Sequence, residues 1–166
     1  MEKNSIETYA LLLDEISTTR QGNQLIEALE HAVDATYDKT KQIATVLKAY
    51  LPFDQTDLIL EIAKTQGIDI TNSAAAQQFL KSLIETLKKL TFVDLTLAYS
   101  PTYDQLTELA RWWRVYTKVP YILLDIKVDK ELIAGAVIGY NGLMKDYSLH
   151  RVLGSYLERK KSSETK

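Results

Sequence analysis

The chain is 166 residues long, 46% hydrophobic and 25% charged, with a formal net charge of -2. That length suits one domain or two small ones with a real core, and the slightly acidic balance argues against nucleic acid or anionic lipid as the main partner. The absence of cysteine excludes disulfide frameworks, thiolate nucleophiles and Cys-ligated metals.

Six Gly and three Pro leave room for few and short loops. No apolar run approaches the roughly 20 residues that span a bilayer. The opening residues MEKNSIETYA lack the apolar core of a signal peptide and the Arg-rich, acid-poor character of a transit peptide. The sequence reads as soluble and cytoplasmic.

Residues up to about Lys89 carry helical periodicity. Asn4 and Glu7 are spaced as a capping box, and Ile6, Tyr9, Ala10, Leu13 and Ile16 then share one face. Gly22 and Asn23 interrupt the pattern, and Leu25, Leu29, Ala32 and Val33 form a second stripe. Ile43, Val46, Leu47 and Tyr50 form a third, ended by Pro52. Asp54 is placed to cap a short fourth helix carrying Leu58 and Ile62, with Gly67 as its stop. Asn72 or Ser73 opens the fifth and clearest helix, with Ala76, Phe79, Leu80, Leu83, Ile84 and Leu87 on its stripe.

Near Leu90 the period changes. Val93, Leu95, Leu97 and Tyr99 alternate with Asp94, Thr96 and Ala98 as in a strand, and Ser100-Pro101 is a helix start. Leu106, Leu109, Ala110 and Trp113 follow at helical spacing, and a second strand alternates through Ile122, Leu124, Ile126 and Val128. A third apolar stretch runs from Leu132 to Tyr140, and Asn141-Gly142 is a hairpin signal. Asp146 or Ser148 is placed to cap a last helix bearing Leu149, Val152, Leu153 and Tyr156. The expected fold class is α+β: a helical bundle of five or six helices over residues 1–90, a small α/β domain over 91–160, and a frayed tail over 161–166.

Reactive groups are missing from this pattern. His31 and His150 have no metal-spaced partners and read as exposed helix residues. There is no phosphate-cradling G-x-x-x-x-G-K-[ST] loop, and Gly135, Gly139 and Gly142 do not make a dinucleotide fingerprint. No catalytic, cofactor-binding or metal residue is expected. Trp112 and Trp113 are adjacent on a helix, about 100° apart, so one is expected in the core and the other partly exposed. Ile138-Gly139-Tyr140-Asn141-Gly142 superficially matches the I-G-x-x-G loop of KH domains, which grips a nucleic-acid backbone. A helical regulatory or nucleic-acid-binding module is the alternative it supports, although neither Tyr140 nor Asn141 is basic.

The segment VDKELIAGAVIGYNGLMKDYSLHRVLGSYL resembles the C-terminal signature of the delta subunit of F-type ATP synthases, the family of the mitochondrial oligomycin-sensitivity-conferral protein. The residues that carry it are Val128 and Asp129 at a strand end, Leu132 and Ile133, Ala134 and Gly135, the Gly139–Gly142 region, then Asp146 and Ser148 before the last helix. Two departures stand out: five clear N-terminal stripes where the family has six helices, and Tyr147 where a Gly is usual. In physical terms Gly135 implies a bend or a close approach. Asp129 can cap its turn, and Asp146 and Ser148 can satisfy free N–H groups of the last helix.

The resemblance implies a non-catalytic connector without cofactors, which holds the catalytic head to the peripheral stalk against rotor torque. It implies that the N-terminal bundle takes N-terminal segments of alpha subunits as helices in a groove, and that the C-terminal domain takes the ends of the stalk's b subunits. Nucleic acid and direct membrane insertion have no part in it. The expected location is cytoplasmic, peripheral to the inner (plasma) membrane. A bundle this small cannot cover every apolar stripe, so a partner groove is expected beside the first and fifth helices, at Ile6, Tyr9, Leu13, Ile16, Phe79, Leu80, Leu83 and Ile84.

Overall fold

The computed structural model describes residues 8–38, 42–154 and 156. Asn4, Ile6, Glu7 and the tail at 161–166 lie outside the described residues. The chain divides into two compact units, Met1–Leu90 and Thr91–Lys166.

The first unit is helical: α1 (Ala10–Asp14), α2 (Thr19–Ala35), α3 (Ile43–Tyr50), α4 (Phe53–Thr65) and α5 (Ser73–Lys88). Helix α2 packs against α3 and α5, and α4 packs against α3 and α1. Leu12, Leu13, Ile16, Leu25, Leu29, Leu47, Ile59, Leu80 and Leu83 are wholly buried in its core.

Several boundaries fall elsewhere than the sequence suggested. The first break is at Glu15–Thr18, and Gly22 lies buried inside α2. The cause is a capping box: the Thr18 hydroxyl accepts from the Gln21 N–H at 3.2 Å, and Gln21 Oε1 accepts from the Thr18 N–H at 3.0 Å. Helix α4 begins after Pro52, with Asp54 in its first turn and not at its cap. Gly67 does end it, at φ 68°: the N–H of Ile68 donates to Ala63 and that of Gly67 to Lys64, a Schellman closure. Asn72 caps α5 by accepting from Ala74 and Ala75.

The second unit is a four-stranded sheet of order β2-β1-β3-β4. Its elements are β1 (Thr91–Leu97), α6 (Tyr103–Thr117), β2 (Ile122–Val128), a 3-10 turn (Lys130–Leu132), β3 (Ala136–Tyr140) and β4 (Leu143–Asp146). A helical stretch follows at 149–154. Strand β1 is central, parallel to β2 through the α6 crossover and antiparallel to β3. Its Val93, Leu95 and Leu97 are buried. Tyr99 lies past the strand end and is exposed. Helix α6 opens at Thr102, two residues beyond Ser100-Pro101's first position, because Thr102 and Gln105 form a second capping box.

The apolar stretch from Leu132 to Tyr140 is not one strand. Ile133 sits at φ 63° and ψ -53°, a γ-turn conformation that strains a β-branched residue, and pairing begins only at Ala136. Asn141 and Gly142, at φ 50° and 75°, form the two-residue hairpin between Tyr140 and Leu143, as both positive angles require. The Gly139–Gly142 segment therefore joins two strands, not two helices, and the KH-like reading is withdrawn.

Candidate functional site

The signature residues converge on one junction. The Asp129 N–H donates to the Leu97 carbonyl at 2.8 Å, and Asp129 Oδ1 accepts from the Glu131 N–H at 2.9 Å, which opens the 3-10 turn just past Val128. After Leu132 and Ile133, the Ala134 N–H donates to the Leu132 carbonyl at 2.6 Å, closing the γ-turn. The Leu149 N–H donates to the Ala134 carbonyl at 2.9 Å and the Tyr147 N–H to the Ala136 carbonyl at 2.8 Å. Between these two bonds lies Gly135 at φ 88°, where a Cβ would overlap the Tyr147 carbonyl oxygen and stand 3.1 Å from Ser148 Cα. Gly135 lies in this turn and not inside a strand.

Asp146 and Ser148 complete the junction. Asp146 Oδ1 accepts from the Ser148 N–H at 2.8 Å, and the Ser148 hydroxyl accepts from the Arg151 N–H at 3.3 Å, capping the last helix. Ser148 is buried, and its hydroxyl and then its N–H hold the Asp146 carboxyl below the ordinary carboxylate range. These bonds fix a strand end to a helix start.

The expected groove residues are placed differently. Tyr9, Leu13, Ile16, Phe79, Leu80, Leu83 and Ile84 are all buried, and Ile6 lies outside the described residues. These stripes face the unit's own core, where α5 packs against α2 and α1 against α4. Tyr9 and Phe79, with ring centroids 6.4 Å apart, also form the floor of a depression of about 330 Å³ rimmed by Gln66, Ile68, Ala75, Gln78 and Ser82.

A second surface was signalled in the sequence only by the tryptophan pair. Trp113 is buried in the core of the second unit with Val93, Ala110, Ile122 and Leu124, while Trp112 is 53% exposed. Trp112 stacks on Tyr116 one turn later at 5.1 Å. With Trp113, Tyr140, Leu143, Lys145 and Tyr147 they line a pocket of about 310 Å³. The Trp112–Trp113 pair was legible in the sequence, but Tyr116 was not singled out and the strand residues reach the pocket only through the β3–β4 register.

His31 stacks on Tyr50 at 4.4 Å, and His150 is exposed. Among the described residues no cluster of His, Asp and Glu is arranged to hold a metal, and no helix is long and apolar enough to cross a membrane. No curated protein matches the chain. The family model of the ATP synthase delta (OSCP) subunit matches residues 1–159. That match covers nearly the whole length, and the chain belongs to the ATP synthase delta (OSCP) family, a structural subunit of the peripheral stalk.

Proposed function

We propose that this chain is a non-catalytic connector that holds the catalytic head of an F-type ATP synthase to its peripheral stalk. The family match over residues 1–159 carries this reading. Rotation of the central shaft drives synthesis only if the head is held still, so the connector works through binding energy alone. The two compact units suit two attachments, in which the first contact raises the effective concentration for the second.

In this reading the first unit binds an N-terminal helix of an alpha subunit, and the second binds the ends of the b subunits. Since the α1 and α5 stripes are buried, the alpha helix contacts the depression at Tyr9 and Phe79 and not the stripes themselves. The protein acts on the cytoplasmic side, peripheral to the membrane, without cofactor and without hydrolysing ATP.

Affinity capture of the full chain from native membranes tests this. The expected result is co-purification of alpha and b subunits that survives moderate salt, since buried apolar area is little screened. Recovery of the chain without either subunit rejects the reading.

A further inference from the structure

The helical stretch that ends the second unit lays its apolar face in water. Leu149, Val152, Leu153 and Tyr156 recur at i, i+3, i+4 and i+7, which is one face of a helix, and they are 39, 58, 43 and 64% exposed. A helix this short is marginal in water, and Gly154 inside it weakens it further. Its helicity therefore depends on placing that face against another apolar surface.

Such a surface begins one residue before its cap. Neighbouring strands lie about 4.8 Å apart, so the four-stranded sheet spans about 14 Å, while a helix with its side chains is about 10 Å across. Helix α6 packs on β2, where Ala110 and Trp113 meet Val93, Ile122 and Leu124. Beside it Ile138, Tyr140, Leu143 and Tyr147 line the apolar pocket with Trp112 and Tyr116, and no described residue of the last helical stretch takes part in the lining.

Ser148 is placed as the pivot between the two. Its N–H is held by Asp146 at 2.8 Å. On the helix side the bonds are longer: the Arg151 N–H reaches the Ser148 hydroxyl at 3.3 Å, and the Val152 N–H reaches the Ser148 carbonyl at 3.5 Å. A swing about Ser148 gives up the Leu149 bond to the Ala134 carbonyl and the Arg151 Nη1 bond to the Asp146 carbonyl. The reach fits as well. Six residues of helix rise about 9 Å, and the three steps from Asp146 back to Leu143 cover about 10 Å.

We propose that the last helix is a strap, which in the unassembled subunit folds back antiparallel to β4 about Ser148 and lays Val152, Leu153 and Tyr156 over Tyr140 and Leu143. One movement then covers both apolar surfaces, and the short connection holds the helix at high effective concentration beside its site. Whatever docks on this half of the sheet must first displace the strap. The strap requires nothing of the connector reading.

The test uses the full chain, which has no cysteine, so an engineered pair holds the only thiols present. Leu143→Cys is combined in turn with Val152→Cys, Leu153→Cys and Gly154→Cys. Gly154 follows Leu153 directly but lies on the opposite face, where an added Cβ meets nothing within 4 Å. Mild oxidation is expected to close a monomeric disulfide with Val152→Cys or Leu153→Cys about tenfold faster than with Gly154→Cys, since distant Cα atoms cannot be bridged. In a second measurement Leu153→Asp is expected to open the strap and raise the quenching of Trp112 fluorescence by acrylamide. Equal rates for all three pairs, absence of reaction included, overturn the strap, and so does a disulfide-linked dimer in place of the monomer. Quenching that Leu153→Asp leaves unchanged overturns it too, and this readout keeps Leu143 in place should the cysteine pairs fail to fold.

Discussion

Gly135 shows how one residue can be demanded by its neighbours. Its positive φ is open to glycine at no steric cost, and the Tyr147 carbonyl occupies the space a Cβ would need. Both constraints act together, so Gly135→Ala is expected to lower stability by about 3 kcal/mol, combining backbone strain with overpacking. Chemical denaturation measures this, and an unchanged midpoint would show that the turn re-forms elsewhere. Leu83 makes the complementary point about burial. Its place on the α5 stripe was legible, but whether that stripe faced a partner or the unit's own core was not, because periodicity reports a face without reporting what covers it. Leu83 is wholly buried, so Leu83→Glu would bury a carboxylate at a cost of about 4 kcal/mol or more. Thermal melting is expected to show loss of the cooperative transition in that variant.

At the level of helices and strands, the sequence was most legible where one local signal acted alone. Gly67, Asn72 and the Asn141-Gly142 turn stand where their chemistry placed them. The misplaced boundaries share a cause. Thr18-x-x-Gln21 and Thr102-x-x-Gln105 are both capping boxes, and each sets its boundary against a more conspicuous neighbour, Gly22 or Pro101. A reciprocal pair of hydrogen bonds outweighs the propensity of one glycine, whose helical cost is about 1 kcal/mol. Thr18→Ala is therefore expected to cost about 1 kcal/mol and to fray the start of α2. Hydrogen exchange at Arg20 to Gly22 would show it, and protection equal to wild type would remove the cap's importance. The apolar run from Leu132 to Tyr140 misled for another reason. A γ-turn at a β-branched residue is rare enough that no propensity anticipates it, and hydrogen bonds within the turn and from residues 147 and 149 hold it.

Across the whole chain, the change of period near Leu90 coincides with a change of charge. Residues 1–90 carry 9 Lys and Arg against 13 Asp and Glu, net -4, and the remainder is net +2. A fragment ending at Leu90 is expected to give a circular dichroism spectrum of helix with no strand contribution, and substantial sheet signal would contradict the division. The sheet order β2-β1-β3-β4 has a further consequence for a subunit waiting to be assembled. Strands β2 and β4 are its open edges, and an open edge is a template on which a stray chain can add itself and begin an aggregate. Strand β4 is only four residues long and ends in Lys145 and Asp146, while β2 sets Asp125 and Lys127 along its own edge. These charges would have to be stripped of water for any edge-to-edge pairing. Replacing Asp125 and Lys127 together with Val should leave the fold in place yet make the orphan subunit scatter light as its concentration rises, whereas a clear solution would mean that the brevity of β4 is protection enough.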